Sequence, residues 1–166
     1  MNTHILSKST FVRGMQCDKS LYLNKHFSEL RDATSDAQQL IYDKGTEIGL
    51  LAQQTFPNGV DAKPKTPHDY AQSLALTKKL IDEGVNTIYE AAFQFDGVLC
   101  AVDILFKGKG KWKLFEVKSS TEVKEVHYYD TALQYYVLTN LGIKLDDIFV
   151  FYINKEYVRH GELDVI

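Results

Sequence analysis

Apolar and polar positions follow two periods along this chain. Between residues 7–26 and 36–56 the apolar residues recur at helical spacing, with Leu40, Ile48, Leu51 and Ala52 forming the stripe of the second block. Ser and Asp residues are available there as N-caps. Residues 57–67 form a polar loop punctuated by Asn58-Gly59 and by Pro57, Pro64 and Pro67. Thr66 as N-cap, with Pro67 at the first helical position, opens a helix that Gly84 closes. The period then shortens to two: residues 87–95, 98–106 and 111–119 read as a three-strand meander rich in Ile, Val, Phe and Tyr. Helical spacing returns over 121–141, ending at Gly142, and 147–157 reads as a further strand. A strand after a long helix usually returns parallel to its predecessor, so the expected class is α/β, a mixed sheet with helices on its faces.

Length adds that 166 residues make about one domain, mainly helical over 1–84 and a sheet core over 85–166. Area scaling predicts that such a chain exposes about 8,300 Å² when folded. A composition of 45% hydrophobic and 25% charged residues excludes disordered and low-complexity classes. Cys17 and Cys100 are too few for a disulfide framework, which points to a reducing compartment, the cytoplasm. No apolar run approaches the roughly 20 residues of a membrane span, and the start lacks the regions of a signal peptide. With a net charge of -3, no global field announces a polyanion partner, so any nucleic-acid reading rests on local features.

Turn chemistry sharpens the meander. Asp96-Gly97 is a strong two-residue hairpin signal, because a type I′ turn needs positive φ at both central residues. That register sets Phe95 against Val98, Phe93 against Cys100, Ala91 against Val102 and Tyr89 against Ile104, a uniformly apolar face. The other face pairs Gln94 with Leu99, Ala92 with Ala101 and Glu90 with Asp103. A second turn within residues 107–110 sets Ala101 against Glu116 and Leu99 against Lys118, with Val102 meeting Phe115 and Cys100 meeting Val117. Three carboxylates and one ammonium then converge above the small side chains of Ala92 and Ala101. Acids so placed either raise their pKa values or bind a cation, and hard oxygen donors suit Mg²⁺ or Mn²⁺. The plainer alternative is a solvated sheet face, although Ile88, Leu99, Leu105 and Leu114 make poor company for unpaired charge.

Asp103, followed thirteen residues later by Glu116-Val117-Lys118, resembles the PD-(D/E)xK nuclease superfamily. Further features look like its RecB-type branch, which includes the CRISPR-associated RecB-like exonucleases. These are Glu90 in Ile88-Tyr89-Glu90, the run Glu116-Val117-Lys118-Ser119-Ser120, Gln134 within Asp130 to Tyr136, and the opening Leu6-Ser7-Lys8-Ser9 with Cys17. The resemblance implies a restriction-endonuclease-like core of order α-β-β-β-α-β with N-terminal helices. The chain departs from the branch in carrying Cys100-Ala101-Val102 where a Gly is usual, Glu47 where a His follows Gly45, and Leu138 where a Tyr is expected. The iron-sulfur cluster of some relatives needs four cysteines; Cys17 stands alone in its region, and no cluster is expected. Relatives continue beyond the segment matching residues 157–166, so the chain is either a minimal version or a truncated piece.

By that resemblance Asp103 and Glu116, aided by Glu90 and the Val117 carbonyl, hold a divalent ion that activates water; Glu47 is either a helix-face acid or a further ligand standing in for the His. Lys118 orients the water or stabilises the phosphorus, the alternative being a salt-bridge partner that only neutralises Glu116, and Gln134 touches the site. On the helix the spacing of His127, Asp130 and Gln134 presents them as one stripe toward the sheet, the alternative for His127 being an ordinary surface residue. Tyr128, Tyr129, Tyr135 and Tyr136 are either core or base-stacking residues, and Lys107, Lys109, Lys111 and Lys113 are either a solvated hairpin or a phosphate contact. Gly45 and Gly49 each cost about 1 kcal/mol in a helix and mark a close approach to a neighbour or a substrate. The leading expectation is a metal-dependent DNA nuclease, an exonuclease of repair or defence, acting on single- or double-stranded DNA. The alternative is a catalytically weak nucleic-acid-binding module of a larger assembly, with a further domain or protein partner. A metal enzyme on a non-nucleic substrate is the third reading.

Overall fold

The computed structural model describes residues 5–66, 69–161 and 163. In chain order the elements are β1 (Leu6–Ser7), α1 (Lys8–Gln16), α2 (Asp18–His26), a 3-10 turn (Ser28–Leu30), α3 (Asp36–Gln54), β2 (Val60–Asp61), α4 (Tyr70–Asp82), β3 (Thr87–Phe95), β4 (Val98–Gly108), β5 (Lys111–Val117), α5 (Glu125–Asn140) and β6 (Leu145–Phe151). They form a mixed α/β fold around a six-stranded sheet of order β2-β3-β4-β5-β6, with β1 added to β4. The meander is antiparallel, and β6 returns parallel to β5 after α5, as the periodicity implied.

Several boundaries differ from the sequence reading. Residues 7–26 are two helices, because Cys17 adopts an extended conformation and breaks the run. Ser7 belongs to β1 and caps α1 through its side chain. Thr66 is not the cap of the third helix: that helix begins at Tyr70 after Asp69, and Pro67 lies outside the described residues. Two short strands, β1 and β2, lie in stretches whose length gives no alternation to read. β2 runs parallel to Ile88 and Tyr89 of β3, and β1 runs parallel to Val98 and Leu99, on a stretch of β4 that the pairing with β5 does not reach.

The first hairpin has the expected register: Asp96 (φ 48°) and Gly97 (φ 73°) make the turn, with Phe95 opposite Val98 and Ala91 opposite Val102. The second register is two residues away from the expected one. Gly110 supplies the positive φ (87°) for a two-residue turn at Lys109-Gly110, so Gly108 pairs with Lys111 and Ile104 with Phe115. An even shift keeps every side chain on its face but changes its neighbour, and Asp103, not Ala101, is level with Glu116.

The apolar face is not uniform either. Glu90 has φ 52°, which reverses the pleat, so Ala91, Phe93, Cys100 and Val102 pack with Ile88, Leu105 and Leu114 in the main core, together with Leu80, Val137 and Leu138. Tyr89 and Ile104 pack instead with Phe115, Phe56, Phe149 and Phe151 in a second cluster beside α3. Glu90 and Asp103 therefore stand where side chains change sides.

The chain exposes 11274 Å², well above the area expected for its length, and α1, α2 and α3 contain no fully buried residue. Among the described residues no helix is long and apolar enough to cross a membrane. β2 covers only the start of β3, and further along the Ala92 N–H donates to Thr77 Oγ1 of α4 at 3.0 Å. Thr77→Val would strand that buried donor, and chemical denaturation should show a loss of about 1–3 kcal/mol; unchanged stability would contradict this account of the α4–β3 contact.

Candidate metal and phosphate site

β4 and β5 bring Asp103 and Glu116 side by side, and both carboxylates are held by named donors. The Val117 N–H donates to Asp103 Oδ2 at 2.6 Å. Glu116 is 1% exposed, and a buried carboxylate requires full compensation. Lys8 Nζ reaches both of its oxygens, at 2.8 and 3.0 Å, Lys118 Nζ reaches Oε1 at 2.7 Å, and Gln134 Nε2 reaches Oε2 at 2.7 Å. Those partners come from three elements: the start of α1, the residue following β5, and α5.

Lys118 is itself fixed twice more. Its ammonium also bonds Asp130, from the preceding helical turn to Gln134, and its backbone N–H donates to Phe151 of β6 at 2.7 Å. Asp130, Gln134 and His127 are all buried on the inner side of α5, as their spacing implied. His127 is no surface residue: its Nδ1 accepts the Lys124 N–H at 3.2 Å at the start of that helix. Gln134 Oε1 is buried with no hydrogen-bond partner among the described residues.

Charge in this cluster is unevenly shared. Burial opposes ionisation of Glu116, but Lys8 and Lys118 outweigh it and hold the carboxyl below its ordinary range. Asp103 is pushed up to about 7 by burial first and by the Glu116 charge second, with Lys8 opposing. Burial also raises Glu90, against the pull of Lys63 and Lys8. Lys118 is raised: burial works against its charge, and Glu116 and Asp130 overcome that.

Two cavities meet at these acids. A larger one, about 410 Å³, lies between α3 and the sheet and is lined by Gly45, Thr46, Gly49, Glu90, Asp103 and Val117 among others. The other, about 240 Å³, is lined by Ser7, Lys8, Ser9, Glu90 and Asp103 among others. Glu116 lines neither. Gly45 and Gly49 face open space, with no atom within 4 Å of an added Cβ, so their role is to leave room at the cavity wall and not to allow close backbone packing.

Of the residues singled out from sequence, Asp103, Glu116, Lys118 and Gln134 come together, with Glu90 and Val117 at the cavity. Glu47 does not join them: it is exposed, and α3 turns Gly45, Thr46 and Gly49 to the cavity instead. The lysines of the second turn are at the far end of the hairpin, where Lys107 and Lys113 sit over Trp112 and Phe149 and Lys111 pairs with Asp146. Lys8 and Asp130 are the members of the cluster that the sequence reading did not place there. Their signal was present, in the Leu6-Ser7-Lys8-Ser9 opening and in the helical stripe, without a sheet register to aim it.

Among the described residues no three His, Cys, Asp or Glu side chains form a complete metal cage. The donor set nevertheless fits Mg²⁺ or Mn²⁺, because such ions are commonly held by one or two carboxylates with water and phosphate completing the shell. Asp103 and Glu116 would supply those carboxylates, and Asp103 is raised by burial and by the Glu116 charge beside it. The sequence matches no protein-family model and no curated protein.

The raised carboxyl sets a pH dependence. A carboxyl of about 7 in the fold, against about 3.9 unfolded, makes the folded state bind more protons between those values, so stability falls as pH rises from about 4 to 7. Glu116 acts in the opposite sense but below its unfolded value, where stability is lost only as pH falls. Thermal unfolding without metal should therefore give a higher Tm at pH 6 than at pH 8, and Asp103→Asn should shrink that difference. An equal slope in the variant would contradict it.

Proposed function

We propose that the chain is a divalent-metal-dependent DNA nuclease, an exonuclease by its resemblance to the RecB-type branch, acting in the cytoplasm. The observation that supports it best is the juxtaposition of Asp103 and Glu116 on neighbouring strands with the Lys118 ammonium on Glu116. The resemblance requires these three residues to act together.

Asp103 and Glu116, with Glu90 at the rim, would hold the divalent cation, which when bound lowers the pKa of a water and neutralises charge on the phosphate. In hydrolysis the water oxygen forms a bond to phosphorus as the bond to the leaving sugar oxygen breaks, and that oxygen departs with a proton. The protein's part is positional and electrostatic. Lys118, kept protonated by Glu116 and Asp130, cannot take a proton from water; two of its three N–H groups are held by those carboxylates, and it supplies fixed positive charge and the one remaining N–H toward the phosphate. Gln134 and the Val117 N–H orient Glu116 and Asp103 and are positioning groups. The open wall at Gly45 and Gly49 gives a nucleotide strand access to Glu90 and Asp103 in a cavity of ordinary ligand size.

Linear single- and double-stranded DNA incubated with Mn²⁺ should be cleaved, with Asp103→Ala and Lys118→Ala each reducing the rate by about 10²-fold or more. Cleavage undiminished in both variants would contradict the reading. DNA binding without cleavage would replace it with that of a nucleic-acid-binding module.

A further inference from the structure

Lys8 has more to do than anchor a helix. Its Nζ bonds both oxygens of Glu116, so a monovalent ammonium grips the carboxylate in a bidentate manner. It also lines the smaller cavity with Glu90 and Asp103, while Glu116 lines neither cavity. Anything that approaches Glu116 from that cavity meets Lys8.

The two lysines on Glu116 are held very differently. Lys118 follows β5 directly, its N–H is bonded to β6, and its ammonium is shared with Asp130. Lys8 is the first residue of α1 and bonds no other carboxylate among the described residues. Its helix reaches the sheet through β1, two residues long, whose Leu6 N–H donates to Gly97 at 2.8 Å. α1 and α2 bury no residue fully, although α1 also touches α5 and β4. Of the two cations on Glu116, Lys8 is the less tethered.

We infer that the Lys8 ammonium is a resident counter-cation that competes with a divalent ion for Glu116, so that Lys8 sets the metal affinity of the site. The inference rests on the metal-dependent reading above. Without the ion, Lys8 compensates the buried carboxylate and keeps the cluster folded. Its release makes Glu116 available beside Asp103, and the cost of parting this ion pair weakens metal binding. Lys8 thus acts through Glu116 and is a positioning residue.

Titration of the full chain with Mn²⁺ alone, followed by calorimetry and by thermal unfolding, tests this. Lys8→Gln should bind Mn²⁺ about tenfold or more tightly than the wild type, since one unit charge is removed from beside the ion. Its Tm gain on adding Mn²⁺ should exceed that of the wild type. Lys8→Arg, which keeps the charge, should stay near the wild-type affinity, and Asp103→Asn should remove binding in either background. Wild-type binding that Lys8→Gln leaves unchanged or weakens overturns the inference and leaves the metal reading standing. Binding by neither protein overturns the metal reading and the inference with it. Should Lys8→Gln fail to fold, the Lys8 Nζ resonance of the wild type serves in its place. Saturating Mg²⁺ should speed its proton exchange as the ammonium is freed, and an unchanged resonance overturns the inference.

Discussion

A carboxylate with almost no exposure to water has to be fully compensated by its neighbours, and Glu116 imposes that requirement on the rest of the molecule. Two ammonium groups and one amide meet it, drawn from α1, from the residue after β5 and from α5. An isolated buried ion costs several kcal/mol after relaxation, and removing one partner from a buried pair typically costs about 3–5 kcal/mol. The contact thus joins three distant parts of the chain: Lys8 and Glu116 are 108 positions apart. α1 and α2 bury no residue fully, and this ion pair adds to the contacts of α1 with β1, β4 and α5.

The second constraint is the reversal of the pleat at Glu90. A non-glycine residue at positive φ is uncommon, and such conformations persist where the surroundings enforce them. Here the reversal lets one hairpin serve two cores, with Tyr89 and Ile104 on one side and Ala91 and Val102 on the other. It also sets Glu90 and Asp103 between those cores, at the cavities, rather than on a flat solvated face. Asp103 is buried there beside the Glu116 charge, and its raised carboxyl is the consequence of that burial first and of that charge second.

Much of this was legible in the chain. Asp96-Gly97 determined the first register, because only a turn with two positive φ values joins those strands so tightly. The periodicity of 87–119 and of 121–141 marked the meander strands, the last of which ends at Val117, and α5, which runs over Glu125–Asn140, and the spacing of Asp130 and Gln134 placed both on its inner side. The second register was missed by two residues because Gly108 and Gly110 offer competing turns, and the choice depends on which glycine takes positive φ. The pleat reversal leaves no mark on local composition, since Glu90 looks like any acid in a strand. Glu47 was misplaced for a similar reason: helical spacing does not say which face of α3 meets the cavity. Lys8 was visible only as part of a motif, and the ion pair that gives it meaning is a long-range contact.

Anomalous diffraction from crystals grown with Mn²⁺ would locate the ion. If Asp103 and Glu116 share it, a peak stands about 2.2 Å from carboxylate oxygens of both, with the Lys8 ammonium withdrawn from Glu116. A map with no peak there, and with Lys8 still gripping both oxygens of Glu116 at saturating Mn²⁺, would contradict that arrangement.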